Sequence, residues 1–245
     1  MEKERRIVNM DTKQIRTIGL NNVKQNWRLS IGAAVLVCII AGWGSSFIPN
    51  FSFTLHGDNA DTVLSLKEGL KYVFQVSEHS KVTVNPFASL NLVHFILGGV
   101  VELGYCGFLL KQHDLQPYET RNLFSQFDRF GVGFAQRFLR TLYITLWSLL
   151  LIIPGIVADL SYSMTPYILA DNPNMSAKEA ISASKELMDG HKMDLLFLRL
   201  TFIGWDLLAA LTFNIGNLWL NPYKHASEAA FYRKILDHQS GIYSA

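Results

Sequence analysis

Five ionisable side chains interrupt stretches that are otherwise free of charge: Glu102, Asp159 and Asp206, with His94 and Arg199 lying shallower in their blocks. A charge at the centre of a membrane helix costs about 2.5–3.5 kcal/mol on insertion scales, so such groups face a bundle interior or a cavity. There they can relay a proton or cation, or line the path of a polar substrate, and Glu102 and Asp206 are the best placed for it. The plainer alternative is a neutralised acid, or a structural ion pair such as Asp206 with Arg199 about two turns away. Asp159 also fits near an aqueous end.

Other chemistry has no foothold. The chain contains no Gly-x-Ser-x-Gly, no His-Glu-x-x-His, no phosphate-cradling Gly-x-x-x-x-Gly-Lys and no dinucleotide fingerprint. No catalytic residue, cofactor site or metal site is expected. Cys38 and Cys106 both fall in apolar blocks and read as small hydrophobes, with a disulfide between them left open. A net charge of +2, with basic residues flanking apolar blocks, argues against a nucleic-acid partner.

The elements that carry these groups are apolar blocks. Thr141 to Ala158 holds no charged residue, Leu29 to Leu55 is uncharged, Val82 to Leu110 carries only Glu102, and Leu207 to Tyr223 is uncharged. About 18–20 such residues are the length that crosses a bilayer. The average conceals this: 49% hydrophobic and 17% charged residues, with mean hydropathy +0.18, would suit an apolar soluble domain. The expected fold is therefore all-α, a polytopic membrane helix bundle of about six transmembrane helices, four or five being the alternatives, with amphipathic interfacial helices.

Spans are expected at about 29–49, 87–110, 138–153, 156–170, 195–213 and 217–235, within a membrane domain of 29–236 and before a tail of 237–245. Residues 1–28 carry seven basic side chains; they read as a basic segment, either a short surface helix bound to anionic head groups or a solvated tail. Val63, Leu66, Leu70, Val73 and Phe74 recur at helical spacing in the first loop and predict an interfacial helix. Phe124, Phe127, Phe130 and Phe134 predict another, feeding the third span. Pro154-Gly155 is expected to break that span after Ile153. Ser176 and Glu179 form a capping box for an amphipathic helix over 176–189, and Gly190 is placed to end it. Gly98, Gly99, Gly104 and Gly107 allow close helix approach.

Orientation favours six spans over four. With hairpins at Pro154-Gly155 and near Asn214-Gly216, 19 of the 22 Lys and Arg residues lie on one side, together with both termini. The polar lead of about 28 residues is longer than the n-region of a signal peptide, so the first span is expected to stay.

From about Leu123 onward the chain resembles the domain-of-unknown-function 975 family of bacterial integral membrane proteins. The resemblance rests on Leu123-Phe-Ser-Gln-Phe-Asp-Arg-Phe130, Leu146-Trp-Ser-Leu-Leu-Leu-Ile-Ile-Pro-Gly-Ile156 and Ser161-Tyr-Ser-Met-Thr-Pro-Tyr167. It continues through Ala180-Ile-Ser-Ala-Ser184, Glu186-Leu-Met-Asp-Gly-His191, Phe202-Ile-Gly-Trp205, Asn221-Pro-Tyr223 and Ala230-Phe-Tyr232. It implies a multi-pass plasma membrane protein and supplies no catalytic residue; Asp206, after Gly204-Trp205, stands where an apolar residue is expected. Pro154, Gly155, Gly190, Trp205, Asn221, Pro222 and Tyr223 are its candidate structural positions.

These readings point to a non-enzymatic interaction or envelope-maintenance role, with lipid, another membrane protein or a second copy as partner. A small transporter using Glu102 and Asp206 is the alternative, and a membrane-embedded lipid-acting enzyme a weaker one.

Overall fold

The computed structural model describes residues 11–41, 86–212 and 216–240, and every regular element among them is helical. The expected interfacial helix over Val63–Phe74, the end of the first span, Asn214 and most of the basic lead before α1 lie outside the described residues. The helices are α1 (Thr12–Gln25), α2 (Trp27–Ala41), α3 (Pro86–His113), α4 (Phe130–Leu150), α5 (Ile152–Tyr162), α6 (Thr165–Asp171), α7 (Ala177–Leu187), α8 (Lys192–Leu200), α9 (Ile203–Leu211) and α10 (Asn217–Ser240).

Helix α3 is the hub, packed against α2, α4, α6 and α10. Its residues from Val100 to Leu110 are buried almost without interruption, Gly107 being partly exposed. Gln112 at its far end donates to Ser30 Oγ of α2 (2.8 Å), while Phe95 near its start meets Phe134 of α4 edge-on. Gly99 sets the α3–α4 crossing: a Cβ there would stand 2.8 Å from the Gly133 carbonyl carbon. Among the described residues, one helix, Val93–His113, is long and apolar enough to cross a membrane. Protein covers most of it, as it would cover the core helix of a soluble domain.

The structure departs from the sequence expectations at five points. The third apolar pass ends at Leu150, not Ile153, because the single extended residue Leu151 (φ −162°, ψ 150°) reverses the chain. Pro154 and Gly155 instead open α5. Proline is tolerated in a first helical turn, where its missing N–H removes a donor that would have no partner. Gly155 lets the two arms touch, since a Cβ there would lie 2.9 Å from Ser148 Cα.

The phenylalanine repeat is not one helix: Thr120–Phe124 and Phe127–Arg129 are separate 3-10 turns, and α4 begins at Phe130. The expected passes 156–170 and 195–213 are each broken, the first at Ser163-Met164 and the second at Thr201-Phe202. Helix α1 does not lie apart from the bundle. Ile15, Gly19, Asn22 and Val23 are buried, and Gly19 meets the backbone of Ser227 in α10. Fifth, Asp206 and Arg199 do not pair with each other, as their partners below make plain.

Other local signals are met as their chemistry requires. Ser176 and Glu179 form the reciprocal capping box, with Ser176 N–H donating to Glu179 Oε2 at 2.8 Å. Ala177, Ala180, Ile181, Ser184 and Leu187 face inward, and Gly190 takes φ +89° after the helix end. Pro222 lies inside α10, where it cannot donate to the carbonyl one turn back.

The two ends of the bundle differ. At one, Arg233 binds both Asp114 and Asp171, and Tyr232 donates to Asp171. At the other, Leu149, Ile152 and Leu211 are 80%, 78% and 79% exposed. Leu150, Leu151, Ile153 and Leu207 stand out beside them.

Candidate functional site: a belt of ion pairs

Between those ends, four of the five charged candidates lie on a belt of ion pairs across α3, α4, α5, α8, α9 and α10. Glu102, 6% exposed, accepts from Arg140 Nη2 at 2.9 Å and faces Arg137 Nη1 at 3.7 Å. Both arginines belong to α4, one turn apart, so the pairing locks α3 to α4 beside the Gly99–Gly133 crossing. Asp159 on α5 stands within electrostatic reach of Arg140 and accepts from Arg199 Nη1 at 2.7 Å. Arg199 Nε donates to Glu228 of α10 at 2.9 Å, and Glu228 faces His225 at 3.7 Å. Three guanidinium groups thus meet three carboxylates.

Asp206 takes a different partner from the one expected: it pairs with Lys224 of α10. The reason is geometric. Arg199 closes α8 and Asp206 opens α9, and the break at Thr201-Phe202 separates the turns that a continuous helix would have stacked. His94 stands apart from the belt, its Nδ1 buried without a hydrogen-bond partner.

Sequence reading missed Arg137, Arg140, Lys224, His225 and Glu228, because they sit in polar-looking segments that flank the apolar blocks. A signal was available: Arg137 and Arg140 recur at i and i+3 on the face that also carries Gly133 and Gln136. Gln136 is fully buried and neither amide atom has a partner; one Glu102 oxygen, Oε2, also lacks a hydrogen bond.

A second polar node fastens α1. Gln112 Nε2 donates to the Asn22 carbonyl and Asn22 Nδ2 lies 3.2 Å from His113 Nδ1. Arg16 stacks over Phe202 at 5.2 Å, beside the α8–α9 break, and donates to the Tyr223 hydroxyl at 3.2 Å. Of the structural positions named from sequence, Tyr223 therefore joins α1 to α10 and packs edge-on against Phe202. Trp205 is half-exposed on α9, and Asn221 precedes the helix proline.

Both cysteines are free thiols. No group of three or more His, Cys, Asp or Glu with metal-binding geometry occurs among the described residues. The acids of the belt face arginine and lysine, which occupy the positions a cation would take.

Residues 149–239 match the family model described as "Protein of unknown function (DUF975)". The chain carries a DUF975 region. That region starts at the α4–α5 reversal and runs almost to the end of α10. It contains Asp159, Arg199, Asp206, Lys224, His225 and Glu228, whereas Glu102, Arg137 and Arg140 come from outside it. The belt therefore joins the DUF975 region to the preceding helices. No curated protein and no solved structure matches the chain.

Proposed function

We propose that this DUF975 chain is a non-enzymatic, multi-pass protein of the bacterial plasma membrane, with an interaction or envelope-maintenance role and both described termini on the cytoplasmic face. The observation that carries this reading is the apolar end of the bundle. Leu149–Ile153, Leu207, Leu208 and Leu211 are each more than half exposed and form no part of any core. Soluble monomers rarely present contiguous apolar surface on that scale, and lipid is the solvent that suits it. Helices α2, α3, α4, α5–α6, α8–α9 and α10 run along the bundle. The matched belt supports a holding role for the interior charges, because each acid faces a cation of a neighbouring helix.

The test is partition and topology. Washed membranes should retain the protein until detergent is added, and a cysteine introduced by Ser182→Cys, at an exposed position of α7, should react with impermeant maleimide only from the cytoplasmic side. A monodisperse chain in the supernatant without detergent would refute membrane residence.

One observation favours a second reading, a small permease-like subunit. Glu102 Oε2 and both polar atoms of the Gln136 amide are buried without hydrogen-bond partners, as in a site that water or a solute completes. If Glu102→Gln and Asp206→Asn leave the cellular phenotype unchanged, that reading loses its support.

A further inference from the structure

We propose that the α4–α5 hairpin is a re-entrant wedge that enters and leaves the bilayer through the cytoplasmic leaflet, and does not form two spans. This deepens the membrane reading above and rests on it. The partner of the hairpin is the acyl region of a single leaflet.

Composition of the reversal is the first argument. Leu149, Leu150, Leu151, Ile152 and Ile153 turn the chain with no polar side chain among them, and each is 64–80% exposed. A reversal delivered to the far aqueous face would place all five in water or among head groups. The turn is also short in backbone. Only Leu151 leaves the helical conformation, its amide still bonds Trp147 O at 3.1 Å, and Pro154 has no N–H to strand. Hydrocarbon tolerates few unpaired backbone groups, so a wedge tip needs this economy and a solvated loop does not.

Height is the second argument. Asp159, whose side chain is half exposed, lies eight residues beyond Leu151, which is about 12 Å of helix. Tyr143 lies eight residues before Leu151 and borders an open cleft of about 470 Å³ that Lys178, Glu179 and Glu186 of α7 also line. Helix α7 is tied to the hairpin by Ser184 Oγ donating to Ser161 O at 2.8 Å, ten residues or about 15 Å from the tip. A leaflet contributes half of a hydrocarbon core of about 30 Å. If the tip sits near the bilayer midplane, the charged outer face of α7 and the Asp159–Arg199 pair fall at the head groups. If the tip reached the far face, the same charges would stand at the midplane facing lipid, which is the costliest depth for them. The half-exposed Trp147, one turn from the tip, has an interfacial preference that the far-face arrangement would satisfy better, and the cost of each charge held at the midplane outweighs it.

A re-entrant hairpin returns the chain to the side it came from. Residues 171–199 stay cytoplasmic, so the distribution of basic residues is the same as with two full spans, and only depth separates the two arrangements.

The experiment uses the full chain with Cys38 and Cys106 replaced by alanine and a single cysteine introduced by Leu151→Cys. After reconstitution into phosphatidylethanolamine–phosphatidylglycerol vesicles, that cysteine carries a bimane fluorophore. Nitroxides are then placed either near the acyl-chain terminus or on the head group. The wedge predicts the greatest loss of fluorescence with the chain-terminal nitroxide, and no reaction of the unlabelled Leu151→Cys thiol with impermeant maleimide from either side. Reaction from the side opposite a Ser182→Cys control, with head-group quenching dominant, would overturn the wedge while leaving the membrane reading intact. Absence of quenching by every labelled lipid would overturn both. Val157→Cys, about one and a half turns up α5, is the second variant, and its label should be quenched at a shallower depth than that of Leu151→Cys.

Discussion

Glu102 and Asp206 carry the same charge in the same kind of apolar setting, yet their burial separates them. The Glu102 side chain is 8% exposed and those of Arg137 and Arg140 are 19% and 23%, so removing it leaves two guanidinium groups poorly hydrated and facing each other. Breaking a buried pair from one side costs about 3–5 kcal/mol. Glu102→Ala should therefore lower the unfolding midpoint in detergent sharply, and Glu102→Ala with Arg140→Met should recover part of the loss. Asp206 is 39% exposed and Lys224 27%, a partly solvated pair. Asp206→Asn should cost about 1 kcal/mol or less in the same measurement.

A residue-scale pH effect belongs to Glu179. The Ser176 backbone N–H, then the Ser176 hydroxyl, hold its carboxyl below the ordinary value of 4.5. A depressed folded value means the contribution is complete above the unfolded value and fades as pH falls through the folded one. Amide exchange in the first turn of α7 should therefore accelerate on acidification below about pH 4.5; Glu179→Gln should abolish that dependence, whereas Ser176→Ala, which keeps the backbone N–H, should only reduce it.

At the scale of elements, glycine positions decide how closely helices meet and where they stop. Gly99→Val would push a side chain into Gly133 and towards Arg137, whose Cβ stands 3.1 Å from the new Cβ. Overpacking of this kind costs about 1–3 kcal/mol, so the variant should lose stability and loosen the α3–α4 contact, read as faster cysteine labelling at Val101→Cys. Gly190 meets nothing within 4 Å where its Cβ would be, so a substitution there is penalised by conformation alone. With φ at +89°, Gly190→Ala should cost about 1–2 kcal/mol.

Elements were legible wherever a local signal sufficed. The α7 cap, its inward face and its glycine stop could all be read from residues 176–190. The break inside the fourth pass had a signal in Pro166, which opens α6 and cannot donate to the carbonyl one turn back. The break inside the fifth had none, because Thr201-Phe202 carries no helix-breaking residue of its own. It is set by neighbours, Arg16 and Tyr223 closing on Phe202. Likewise α1 has the pattern of a surface helix, and its close approach to α10 depends on Gly19, which meets the backbone of Ser227.

For the molecule as a whole, the exposed apolar end predicts behaviour in bulk. Without detergent the chain should pellet with membranes and resist carbonate extraction; detergent should release it folded, with Tyr105, Phe108 and Phe231 still shielded in the core. Sequence alone determined the helical class, the apolar blocks, a reversal within a few residues of Pro154-Gly155 and the interior acids, because each is written in a contiguous run whose physics is local. Tertiary structure alone decided which cation each acid meets and that the first helix packs into the bundle. It also decided that α7 stands a fixed height above an uncharged hairpin tip. Those are distances between residues roughly 20 to 200 positions apart, and hydropathy averaged along a chain carries no information about them.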